Sequence, residues 1–80
     1  PVVVGKKVTL TCRVRFIDRR KSTMTLAHGH RYYLAKFPKD TDLSHVKVRD
    51  VVMIKGTQTS QRHFDAVVIN CTSVEKVKPN

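Results

Sequence analysis

Hydrophobic and polar residues alternate with a period of two along most of this chain. The clearest run is Val8-Thr-Leu-Thr-Cys-Arg-Val-Arg-Phe-Ile17. In a strand such alternation sends neighbouring side chains to opposite faces, so the run predicts a long first strand from about Lys7 to Asp18. Arg19-Arg-Lys-Ser22 reads as an exposed turn, and Thr23-Met-Thr-Leu-Ala-His28 alternates again. Gly29, between two histidines, suits a tight turn because it adopts positive φ without strain. A third strand runs from Arg31 to Phe37 and stops at Pro38, which has no N–H to offer a ladder. The fourth covers Val51 to Gln58, with a bulge or sharp bend expected at Gly56. Ser60-Gln-Arg-His63 reads as a polar turn, and Phe64 to about Val74 forms the fifth strand.

One stretch breaks the alternation. In Pro38-Lys-Asp-Thr-Asp-Leu-Ser-His-Val46, the residues Asp40, Thr41 or Asp42 can cap a short helix that buries Leu43 and Val46 at i and i+3. Three strands, a short helix and two strands is the element order of the OB-fold, a small partly open five-stranded Greek-key barrel. The expected fold is therefore all-β, a single OB-fold domain over residues 1–80. Its ordered core spans about 6–75, and the tail 76–80 frays. An SH3-like barrel has similar size and strand count but usually places its helical turn before the last strand, whereas the break here precedes the fourth.

The second half carries a more specific pattern. Phe37-Pro-Lys-Asp, then Leu43-Ser-His-Val-Lys-Val-Arg-Asp-Val-Val-Met-Ile-Lys-Gly56, then Ala66-Val-Val-Ile-Asn-Cys71 resembles the tRNA-anticodon-binding-like OB domains of bacteria and phages. Those follow an F-x-x-x … L-x-x-(L/V)-x-x-G-D-x-V-x-(V/I)-x-G … V-x-L-x-x-C arrangement. With Val8 to Val14 as first strand, the resemblance spans most of the chain. It implies a nucleic-acid-binding ancestry and brings no catalytic residue with it. One departure stands out: Arg49 occupies the place of the glycine before Asp50.

The alternation also assigns faces. Val8, Leu10, Cys12, Val14 and Phe16 are expected inside, with Met24, Leu26, Tyr33, Ala35, Phe37, Val52, Ile54, Val67, Ile69 and Cys71. The outer face then collects Arg13, Arg15, Ile17, Thr25, Arg31, Tyr32, Leu34 and Lys36. Orienting the third strand this way buries Phe37 and keeps Lys36 in water.

Charge gives this face a meaning. Sixteen Lys and Arg against six Asp and Glu leave a formal net charge of +10 over 80 residues. The part through Arg31 carries +7 and the remainder +3. Such an excess suits a polyanion, of which nucleic acid is the commonest. OB-folds bind such ligands on the outer face of strands two and three, between the loops that join strands 1–2 and 4–5. Arg19, Arg20 and Lys21 lie in the first loop, and Arg62, His63 and Phe64 in the second. The expected nucleic-acid-binding set is these six with Arg13, Arg15, Arg31, Tyr32 and Lys36. Tyr32, His63 and Phe64 are its stacking platforms. With five Phe and Tyr in all, affinity should rest mainly on phosphate contacts to single-stranded DNA or RNA. The competing expectation is a protein-interaction or self-association module whose exposed strip is Ile17, Tyr32, Leu34 and Val51.

Other chemistry finds little support. No paired carboxylates, glycine-rich phosphate loop or nucleophile beside a base is present, so a non-catalytic domain without cofactor is expected. His28 and His30 flank a turn, and two ligands there make a weak metal site. Cys12 and Cys71 read as buried, reduced thiols, which suits a reducing compartment, cytoplasmic or nuclear. An apolar fraction of 40% with 28% charged residues fits a globular chain. No apolar run approaches the roughly 20 residues of a membrane-spanning helix, so no membrane contact is expected. No signal peptide is evident. The missing initiator Met suggests a processed chain or an excised domain.

Overall fold

The computed structural model describes residues 5–77. Of the tail expected to fray, 76–80, Lys76 ends the last strand and Val77 N–H donates to Val51 O at 2.8 Å, while 78–80 lie outside the described residues. Five strands, β1 (Lys6–Asp18), β2 (Thr23–His28), β3 (Arg31–Lys36), β4 (Val51–His63) and β5 (Ala66–Lys76), close into a barrel in the order β1-β2-β3-β5-β4. All contacts are antiparallel except β3–β5, which is parallel. The long β1 pairs β4 through its first half and β2 through its second, meeting both at Arg13. The core follows from the pairing: Val14, Leu26, Tyr33 and Val67 form one inward row, and Ile17, Met24, Ala35 and Ile69 the next. Met24, Leu26, Ile54 and Ile69 are fully buried, which contributes about 1.5–3 kcal/mol for each.

The expected inward face of β1 is corrected at one residue. The register shifts between Val14 and Phe16, leaving Arg15 as an extra residue opposite β2. A one-residue bulge exchanges the two faces of everything beyond it. Phe16 consequently points outward, 60% exposed, while Ile17 packs on the core.

The helix expected between the third and fourth strands is not formed. Three successive turns replace it, closed by Thr41 N–H to Pro38 O (3.0 Å), Val46 N–H to Leu43 O (3.1 Å) and Asp50 N–H to Lys47 O (3.0 Å). Leu43 and Val46 are nonetheless buried, as their spacing indicated. Asp42 accepts from Ser44 N–H at 2.9 Å and Asp50 from Lys47 N–H at 2.9 Å. Short acidic side chains thus bond the local backbone and favour turns over a continuous helix. In the last turn Arg49 has φ 82°, the value a type II turn requires at its third residue and one that glycine adopts without strain. Arg49 N–H and Asp50 O bond back to Val14 at 2.8 Å each, which fixes the start of β4.

The polar stretch Gln58–Phe64 is likewise not a loop. β4 continues to His63, and the hairpin closes with the two residues Phe64 and Asp65, His63 pairing with Ala66. Near the tip Thr59, Ser60 and Gln61 stand opposite Val68 alone, and Thr59 Oγ1 donates to Val68 O at 2.8 Å. The bend expected at Gly56 is present as a register shift, with the extra residue on β5. A side chain at Gly56 would meet Asn70 O and lie 2.7 Å from Cys71 Cα, so this crossing requires glycine.

Candidate functional site

On the outer face the pairing sets rows side by side. Arg13, Ala27 and Tyr32 form one; Phe16, Thr25 and Leu34 the next; Asp18, Thr23 and Lys36 the third. The β4–β5 hairpin walls this face. Three open depressions of about 380, 380 and 470 Å³ run into one another across it. The first lies among Phe16, Lys21, Lys36 and His63; it shares Thr25, Leu34 and His63 with the second, beside Phe64. The second shares Tyr32 and Asp65 with the third, which reaches His30, Arg31 and Arg62. The result is a continuous groove with aromatic side chains along its middle and cations at both ends.

Seven of the expected residues line it: Lys21, Arg31, Tyr32, Lys36, Arg62, His63 and Phe64. Tyr32 is 45% and Phe64 90% exposed. The rings of His63 and Phe64 meet edge to face, with centroids 4.8 Å apart. Phe64 has φ 56° at the first position of the hairpin turn, where a type II′ geometry favours glycine. A bulky residue there is unusual, so strain and exposure coincide at one phenyl ring. Among the described residues the one ion pair is Lys76 Nζ to Asp50 Oδ2 at 3.4 Å, so no carboxylate of those residues pairs with the groove's cations.

Four expected residues sit elsewhere. Arg13 is exposed in the Tyr32 row, at the margin of the groove, and Arg15 is the exposed bulge residue. Arg20 is exposed in the β1–β2 turn, where its N–H, with that of Lys21, donates to Asp18 Oδ1 at 3.1 and 3.2 Å. Arg19 has a different occupation. Its Nη1 donates to Leu43 O at 2.7 Å and its Nη2 to Val46 O at 2.8 Å, which clamps the turn-rich connection onto the barrel. Beside it Ser22, with φ 56°, accepts Phe37 N–H at 2.9 Å.

Two groove residues escape a reading by alternation. Alternation places Phe16 in the core, and only the bulge exposes it. Asp65 falls just past the expected loop, and only the fold brings it beside Arg31 and Arg62.

His28 Nδ1–H donates to Thr11 O at 2.9 Å, which occupies one ring nitrogen of the His28–His30 pair. Among the described residues, no three His, Cys, Asp or Glu side chains gather as metal ligands would, and no helix is long and apolar enough to cross a membrane. Cys12 and Cys71 are free and buried in the same core cluster. Burial pushes the Cys12 thiol up to about 11; burial and then the neighbouring Cys12 push Cys71 up to about 12. Both stay protonated and poorly nucleophilic near neutrality. No protein-family model matches the chain, and no curated protein matches it.

Proposed function

We propose that this barrel is an OB-fold that binds single-stranded nucleic acid, without catalysis, in the groove between the β1–β3 face and the β4–β5 hairpin. The strand order, the first strand shared between β2 and β4, and the parallel β3–β5 contact support the fold assignment. One observation carries the functional reading: Lys21 and Lys36 at one end and Arg31 and Arg62 at the other bracket Phe16, Tyr32 and Phe64. Unpaired cations hold a phosphate backbone through Coulomb attraction and counterion release. An exposed aromatic ring offers a face on which an unpaired base stacks, worth about 1–3 kcal/mol per base. The cations set the affinity and the rings favour a single strand over a duplex.

Protein docking through Ile17, Tyr32, Leu34 and Val51 is the weaker reading, because Ile17 packs against the core. The apolar groups that remain in the groove lie between cations, and two copies at +10 each repel.

Fluorescence anisotropy with labelled oligothymidylate and oligouridylate tests the proposal. With four phosphate contacts, log K should fall against log salt with a slope of about −3. Arg31→Glu with Arg62→Glu should weaken binding on the order of a hundredfold at low salt and flatten that slope by about 1.4. An absence of binding at low salt, or affinity indifferent to the double reversal, would overturn it.

A further inference from the structure

Two carboxylates line the groove, Asp18 and Asp65, and of these Asp18 accepts backbone N–H groups while Asp65 has no such bond among the described residues. Asp65 lines both depressions that meet at Tyr32, is exposed, and has no ion pair among the described residues. Three other acids are occupied by backbone N–H groups: Asp18 by Arg20 and Lys21, Asp42 by Ser44, and Asp50 by Lys47. A carboxylate beside Arg31 and Arg62 repels phosphate, so for a backbone-only ligand it is a cost. The turn does not demand it, since positive φ falls on Phe64, and Asn or Ser would serve at the second position.

A base supplies what the carboxylate lacks. A base stacked on Tyr32 or Phe64 would turn its hydrogen-bonding edge toward Asp65, and an ionised carboxylate is acceptor-only, with two oxygens in a fork. Guanine alone among the natural bases presents two adjacent donors on its Watson–Crick edge, N1–H and the N2 amino group. Cytosine and adenine present one amino donor each, and thymine and uracil one imino donor. Single-stranded ligands expose this edge, whereas a duplex consumes it in pairing.

Resting on the proposed binding of single strands, we propose that Asp65 is a specificity-determining residue that selects guanine at the position stacked beside Tyr32. Its carboxylate accepts both guanine donors, and other bases leave it half-satisfied and repulsive.

Anisotropy measurements on an oligothymidylate carrying one central guanine, inosine or adenine separate the possibilities. Inosine keeps N1–H and lacks the N2 amino group. The guanine oligonucleotide should bind about tenfold tighter than the all-thymine parent, with inosine between them. Asp65→Asn, with its fold checked by thermal unfolding, should strengthen binding of the parent and erase the guanine preference. If Asp65→Asn strengthens all four oligonucleotides by one factor, or the wild type binds all four equally, the guanine inference fails and groove binding stands. If the wild type binds none of them at low salt, the groove reading itself fails and this inference with it.

Discussion

Arg19 and Arg62 both sit in short basic stretches at hairpin ends, and the structure uses them in opposite ways. Arg19 spends its guanidinium on the carbonyls of Leu43 and Val46. Arg62 lines a groove with Tyr32 and Asp65 and has no ion pair among the described residues. The same contrast separates two regions of the barrel. Along the 37–50 connection, polar groups are consumed internally by successive turns, the Asp42 and Asp50 backbone bonds and the Lys76–Asp50 pair. Across the groove, cations and rings remain open. A basic residue's role thus depends on whether partly buried carbonyls with a free lone pair lie within its reach, since the guanidinium then replaces the water such a carbonyl would need.

Alanine substitution on each side should separate the two roles. Arg19→Ala removes two charge-assisted hydrogen bonds that are partly open to water, and should cost about 2 kcal/mol of stability. In a domain of this size that lowers the thermal midpoint by about 10 °C, while oligonucleotide affinity measured well below the midpoint stays within about twofold. Arg62→Ala should do the reverse, leaving the midpoint within about 2 °C and weakening binding roughly tenfold. Equal effects of the two substitutions on both readouts would erase the contrast.

Much of this architecture was legible in the alternation, and the failures share a cause. Strands β1 to β3 and the inward set Met24, Leu26, Tyr33, Ala35, Val52 and Ile54 follow from a period of two. The bulge at Arg15 does not, because nothing local marks where one residue is added, yet it moves Phe16 into the groove and Ile17 into the core. Leu43 and Val46, three residues apart, satisfy a helical turn and a β-turn equally well, so spacing revealed their burial but not their conformation. The polar end of β4 has no alternation to read, since both of its sides meet solvent near the hairpin tip. Arg19's partners are 24 and 27 residues distant, beyond any local pattern. Of the expected site, Arg31 and Lys36 on β3 and Arg62 near the hairpin tip were legible because exposure follows from their charge, whereas Phe64, 90% exposed, runs against its chemical type. Asp65 stayed hidden because its significance depends on which faces meet.

A smaller effect is expected at Arg49. Left-handed backbone costs a residue with a side chain about 1–2 kcal/mol, and glycine's greater unfolded freedom gives back about 0.5–1. Arg49→Gly should therefore stabilise the barrel by about 0.5–1 kcal/mol, read as a rise in the thermal midpoint with no change in oligonucleotide affinity. A fall in the midpoint would show that Arg49's side chain holds the connection, as Arg19's does.

Near neutrality the smallest effects belong to pH, and they grow only toward the acid and alkaline ends. Hydrogen bonds from Ser44 hold the Asp42 carboxyl below its usual 3.8, and those from Lys47 with the charge of Lys76 do the same for Asp50. Their stabilisation is present above pH 3.8 and fades as pH falls through the lower folded values. Asp42→Asn with Asp50→Asn should flatten that acid limb. At the other end, buried Cys12 and Cys71 keep their protons after the unfolded thiols ionise near 9, so stability declines as pH rises above 9. Cys12→Ala should reduce that alkaline slope in pH-dependent thermal melts.

Chemical-shift mapping of a short single-stranded oligonucleotide onto the labelled protein reports directly which face the strand occupies. Salt-sensitive shifts are expected at Phe16, Arg31, Tyr32, Leu34, Lys36 and Arg62 to Asp65, with the amides of Leu43 to Asp50 unmoved. Shifts concentrated on the 43–50 connection, or no shifts at low salt with a saturating oligonucleotide, would contradict binding in the groove.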